Sequence, residues 1–105
     1  MRAVVRSKTY RTQLETLLEI GARKFGMQVV EEKLARLDSV IEAHLAAHPG
    51  VKRPHPRLNL VVYPISGTPF IVLYDFDDQH LRMHFVFSKG ASTRLDDLDP
   101  GSAEW

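Results

Sequence analysis

Residues 70–90, FIVLYDFDDQHLRMHFVFSKG, constrain the fold more than any other stretch of the chain, because they read as two strands folded back on each other and are apolar at nearly every position. With the loop at Asp77–His80, Phe76 pairs with Leu81, Asp75 with Arg82, Tyr74 with Met83, Leu73 with His84, Val72 with Phe85, Ile71 with Val86 and Phe70 with Phe87. Side chains alternate across a strand, so Phe70, Val72, Tyr74, Phe76, Leu81, Met83, Phe85 and Phe87 then share one face, while Asp75 and Arg82 meet as an opposite-charge pair on the other. A slip of one residue would scramble both faces. The second face still carries Ile71, Leu73 and Val86, so this hairpin needs cover on both sides.

The preceding residues supply one lid. Ala3–Arg6 is a short strand, and Ser7, Thr9 and Thr12 offer N-caps, Thr12 with Glu15 at the capping-box spacing. Tyr10, Leu14, Leu17, Leu18, Gly21 and Phe25 recur at steps of three and four, predicting a helix that stops at Gly26. Val30, Leu34, Leu37, Ile41, His44 and His48 form a second helical stripe, widened by Val40 and Leu45 and ended by Pro49-Gly50. PGVKRPHPR, residues 49–57, is an aperiodic extended connector, Leu58–Ile65 a strand and SGTP a turn. The expected fold is α+β: a short N-terminal strand and an antiparallel two-helix hairpin packed on one face of a mainly antiparallel sheet of about four strands. Residues 1–105 are expected to form a single domain, with 91–105 a polar, acidic C-terminal tail.

Two helices cover one face of such a sheet. The other is covered either by the tail, through Leu95, Leu98 and Trp105, or by a partner chain, since a sizeable apolar patch marks an interaction site. If a partner covers it, Val61, Tyr63, Ile71, Leu73, His84 and Val86 are the expected contact residues.

At 105 residues the chain can bury one core without staples. It has no cysteine, so neither a disulfide framework nor a thiolate zinc site can form. MRAVVRSKTY lacks the apolar run of a signal peptide and no stretch is long enough to cross a membrane, so a cytoplasmic protein without a membrane partner is expected. Residues 1–57 carry 11 Lys/Arg against 6 Asp/Glu, and residues 58–105 carry 3 against 7. Lys52, Arg53 and Arg57 with Lys89 form the best basic patch for an acidic partner, although the cations lack interleaved aromatics. His44 and His48 are four apart without the intervening Glu of a metalloprotease motif, so no metal site is expected, and no cofactor.

The order strand, helical hairpin, basic connector and three strands, with YRTQLETLLEIGARKFG, VVEEKLARLDSVIEAHLAAHPGVKRPHPRL and TPFIVLYDFDDQHLRMHFVFSKG, resembles the RelE/ParE superfamily of toxins from type II toxin–antitoxin systems. The resemblance covers roughly residues 3–90. It implies a toxin of a plasmid-stabilisation or growth-inhibition module, neutralised by a cognate antitoxin that wraps the helices and the sheet, alone or in a homo- or hetero-oligomer. Members either cleave messenger RNA on the ribosome or bind DNA gyrase.

Metal-free RNA cleavage needs a base for the 2′-hydroxyl, an acid for the leaving oxygen and cations for the phosphate, all on one surface. The RelE-like nucleases share a cluster of Lys and Arg with a Tyr near the C-terminus, whereas this tail offers only Arg94 among Asp96, Asp97 and Asp99. Positions where members often carry Arg, Arg and His hold Val61, Ile71 and Ser88 here. The resemblance therefore favours the ParE-like branch, a non-enzymatic gyrase binder. The alternatives are a ribosome-dependent endoribonuclease using Lys52, Arg57, Arg82, His84 and Lys89, and a non-toxic member that only binds a partner. Arg82 has a structural role available in its pair with Asp75, and His84 reads either as a base or as an interface side chain.

Overall fold

In the computed structural model, which describes the backbone of all 105 residues and the side chains of all but 91–94, Ser7 rather than Thr12 opens the first helix. The Ser7 hydroxyl accepts the Tyr10 N–H at 2.8 Å and donates to the His84 carbonyl at 2.7 Å, so it caps the helix and ties it to the sheet. Helix α1 (Lys8–Phe25) ends at Gly26, whose φ of 89° suits a residue without Cβ, and α2 (Met27–Ser39) starts at the next residue. The helices run antiparallel. Near the turn a Cβ on Gly21 would lie 3.2 Å from Val30 Cγ2, so its absence allows close approach. At the far end Arg6, just before α1, reaches Asp38 at 3.5 Å and Glu42 at 3.3 Å.

Beyond Ser39 the helix widens into a π-helical turn, Val40–Leu45, with the Ala46 N–H donating to the Ile41 carbonyl at 3.0 Å. The wider turn shifts the residues that follow. Ile41, Leu45 and Ala46 are buried, whereas His44 and His48, expected on the apolar stripe, are exposed.

Strands β1 (Ala3–Arg6), β2 (Val61–Pro64), β3 (Phe70–Phe76) and β4 (His80–Ser88) form one sheet in the order β1-β4-β3-β2. β1 is parallel to β4 and the other pairs are antiparallel, so the α+β expectation holds. β2 starts at Val61, later than expected, because Asn59 takes a φ of 55° and interrupts the run.

The hairpin register is as expected for Phe76–Leu81, Asp75–Arg82 and Tyr74–Met83, and then changes. A β-bulge leaves His84 as an extra residue, so that Leu73 pairs with Phe85, Val72 with Val86, Ile71 with Phe87 and Phe70 with Ser88. Past the bulge every β4 side chain lies on the face opposite to the expected one. Val86 joins Tyr10, Leu37, Ile41, Phe70, Val72, Tyr74 and Met83 under the helices, and Phe85 joins Leu58, Leu60, Ile71 and Leu73 on the second face.

Candidate functional site

The second sheet face is covered by the chain itself. Leu58, Leu60, Ile71, Leu73 and Phe85 are buried there, with Val62, Phe87, Leu95, Leu98 and Ala103 packed against them. The tail enters through a 3-10 helix, Lys89–Asp96, and is fastened at several points. Arg57 donates to the Leu98 carbonyl at 2.9 Å and to the Leu95 carbonyl. The Lys8 and Thr9 N–H groups donate to the Glu104 carbonyl at 2.6 and 3.3 Å, and the Glu104 N–H donates to Thr9 Oγ1 at 2.9 Å. Trp105 stands edge-on to His84, ring centroids 4.8 Å apart.

This closes the alternative left open by the sequence: the tail, not a partner, shields that face. Of the expected partner contacts, Val61, Tyr63 and Val86 lie on the helix side, because Val61 pairs with Tyr74 and the bulge reverses Val86. Ile71 and Leu73 do lie on the second face but are only 7% and 0% exposed. His84 is partly buried beneath Trp105.

At the open end of this face Arg82 is held between two carboxylates, with Nε 2.8 Å from Asp75 Oδ1 and Nη1 2.8 Å from Asp77 Oδ2. His84 Nε2 lies 3.0 Å from the same Asp75 oxygen, to which it donates, and Nδ1 is buried without a partner among the described residues. Burial pushes the Asp75 carboxyl up, but the hydrogen bonds from Arg82 and His84 outweigh it and hold the group below the ordinary carboxylate range. Bonds from Arg82 and from the Gln79 and His80 amides lower Asp77 further. Arg82 is thus spent on its own carboxylates rather than aimed at a phosphate.

The other expected cations are dispersed. Arg57 holds the tail, Lys89 Nζ donates to the Ile65 carbonyl at 3.0 Å, and Lys52 Nζ lies 5.6 Å from the Tyr63 ring centroid. Arg53 is exposed in the connector, and the Arg94 side chain lies outside the described residues. Only Arg82 and His84 of the five nuclease candidates come together.

The helix side presents what the sequence reasoning missed. Ile20, Phe25, Met27 and Val29 at the hairpin tip are 43%, 67%, 60% and 38% exposed. Leu17, Leu18, Ile20, Gly21, Phe25, Val29 and Val30 line an apolar cleft of about 220 Å³ against Pro69, Phe70 and Ser88, with Lys24 and Lys33 also on its wall. A second cleft of about 410 Å³, lined by Thr12, Gln13, Thr16, Leu17, Ile20, Val86, Phe87 and Ser88, continues it. Its floor is a sheet edge: β1 pairs only with His80–Met83, so no strand pairs with this edge of β4 from His84 to Ser88, where the Ser7 hydroxyl meets the His84 carbonyl. The Val86 N–H points out of the sheet and is met by Gln13 Oε1 at 3.0 Å. By alternation the Ser88 backbone points the same way. An unpaired edge beside an apolar groove is able to take up an extended segment of another polypeptide.

Among the described residues no group of three or more His, Asp or Glu side chains is arranged to hold a metal, and no helix is long and apolar enough to cross a membrane.

Compared with known proteins, the chain matches no family model. It matches no curated protein. Among solved structures it is similar to a chain of the "Chromosomal ParDE TA system from P. aeruginosa", at a TM-score of 0.68 and 11% identity, over 84% of this chain and 96% of that one. At that identity the likeness defines the fold, which is ParE-like.

Proposed function

We propose that this chain is the toxin of a type II toxin–antitoxin module, of the ParE-like branch, which inhibits growth by binding DNA gyrase and is silenced by a cognate antitoxin. The observation that carries the reading is the apolar groove along α1 with the open β4 edge as its floor, on a fold shared with a chain of a ParDE system. The antitoxin segment would lie in that groove and add a strand along the open β4 edge, from Val86 to Ser88, with Lys24 and Lys33 flanking it. This seat replaces the second face, which the tail already occupies.

A binding mode of action is favoured over cleavage by the fate of the candidate nuclease groups. Arg82 is neutralised by Asp75 and Asp77, and Lys52, Arg57 and Lys89 lie apart from His84, each engaged elsewhere.

Inducing the chain alone in bacteria tests the reading. Filamentation with a DNA-damage response is the expected outcome. Prompt loss of protein synthesis with cut transcripts would replace it with the endoribonuclease reading, and unimpeded growth with that of a non-toxic binding protein.

A further inference from the structure

We propose that a polar cleft at the opposite edge of the sheet, between the π-helical turn and β2, is a binding site for a small phosphate-bearing ligand. Arg36, Ser39, His44, Tyr63 and Ser66 line this cleft of about 380 Å³, and no carboxylate does. Lys52 stands beside it, its amino group over the Tyr63 ring. The site shares no lining residue with the α1–β4 groove, whose Lys33 wall lies one turn of α2 away, and does not depend on the toxin reading.

Three features of the chain build it. The π-helical turn places His44 in the cleft instead of on the apolar stripe, and such turns recur at functional sites. Arg36 Nε donates to the Ser66 carbonyl at 3.3 Å, which fixes the plane of the guanidinium, while its two terminal nitrogens have no protein acceptor among the described residues. That is the fork geometry that grips a phosphate through two parallel hydrogen bonds. Asp38 and Glu42 turn away to Arg6 on the other side of the helix, and Glu32, one turn before Arg36, makes no ion pair with it among the described residues. Arg36 therefore faces a cleft whose lining holds no carboxylate, and Lys52 lies near it, against Tyr63. The hydroxyls of Ser39, Tyr63 and Ser66 and the His44 ring likewise have no hydrogen-bond partner among the described residues, and they add neutral donors around the same space.

A compact cleft with one fork and one imidazole, and one ammonium nearby, matches a single phosphate group. A nucleic-acid strand would instead need cations spread along a track of successive phosphates. The volume is within the range of pockets that hold nucleotide-sized molecules.

Titration of the intact chain with inorganic phosphate and with adenosine monophosphate, followed by backbone amide NMR, tests the proposal. Saturable shifts centred on Ser39, His44 and Ser66, with a Kd of about 1 mM or tighter, are expected. Arg36→Gln and His44→Gln should each weaken binding about tenfold, roughly the loss of one charge-assisted bond, while Arg23→Gln, an exposed cation elsewhere, should not. Both cleft positions are exposed, and unchanged amide spectra away from the cleft verify the fold. Absence of saturation, or binding indifferent to both cleft variants, overturns the proposal. Tighter binding of an oligothymidylate than of the mononucleotide overturns the small-ligand assignment in favour of a nucleic-acid backbone.

Discussion

Gln13 Oε1 accepts the Val86 backbone N–H at 3.0 Å, one side chain of α1 occupying a ladder position that β1 is too short to fill. Among the described residues the β4 edge past β1 is thus met at two points, by the Ser7 hydroxyl on the His84 carbonyl and by Gln13 on the Val86 amide. A Gln13→Ala variant leaves that amide to water or to an incoming strand. Loss of about 1 kcal/mol in urea unfolding is expected, with faster hydrogen exchange at Val86. Unchanged exchange would mean that the edge is protected by something else.

Arg57 joins the connector to the tail through two backbone carbonyls, and the tail in turn keeps Leu58, Leu60 and Leu73 dry. Arg57→Ala is expected to cost about 1–2 kcal/mol and to accelerate exchange across residues 95–105, while α1 and α2 keep their protection. Equal loosening of both regions would show that the tail is integral to the helix-side core.

If the chain acts by binding, Arg82→Ala with His84→Ala leaves growth arrest intact and transcripts uncut. The substitution breaks the ties to Asp75 and Asp77 at the open end of the second face. Partly exposed pairs of this kind contribute about 1 kcal/mol, so the fold should survive. Because Asp75 is held below its ordinary range, its contribution is present above the unfolded carboxylate pKa and lost as pH falls below it. The double variant should therefore show a weaker fall in stability on acidification than wild type. Loss of toxicity with partner binding retained would point to cleavage.

Tyr10 sits in the centre of the helix-side core with a hydroxyl that has no partner among the described residues, and burial pushes its pKa up to about 12. Tyr74, which donates to the Pro49 carbonyl at 2.6 Å, is also raised by burial. A folded-state pKa above the unfolded one means that the contribution is complete below about pH 10 and is lost as pH rises through the folded value. The urea midpoint of wild type should fall above about pH 10, and Tyr10→Phe should flatten that limb. At neutral pH Tyr10→Phe should cost less than about 1 kcal/mol, since no hydrogen bond is removed. An unchanged alkaline limb would place the titration elsewhere.

The elements and their order were legible in the sequence because each carries its own period and its own stop. Gly26 ends one helical stripe, and Asp77–His80 separates two strands whose first three pairs follow from alternation. The errors arise where one residue is added to a regular repeat. The bulge at His84 moved Val86 under the helices and Phe85 onto the second face, and the π-helical turn moved His44 and His48 into solvent. Neither insertion leaves a local mark in composition, because both are settled by packing against distant parts of the chain. The tail's role was one of two open readings, since Leu95 and Leu98 are too few to show which surface they cover. The groove is not legible because Leu17, Leu18 and Phe25 fit a helical stripe whether or not anything lies over them, and a single apolar Ile20 beside that stripe carries no signal of its own.

The most direct measurement of the central claim is growth after induction of wild type and of an Ile20→Glu, Phe25→Glu variant, each with and without the product of the reading frame adjacent to the gene. Both positions are exposed, so the charges disturb the groove rather than the core. Growth arrest by both chains alone, with rescue of wild type only, is the expected result. Equal rescue of both, or no arrest by wild type, would contradict a toxin silenced through the α1–β4 groove.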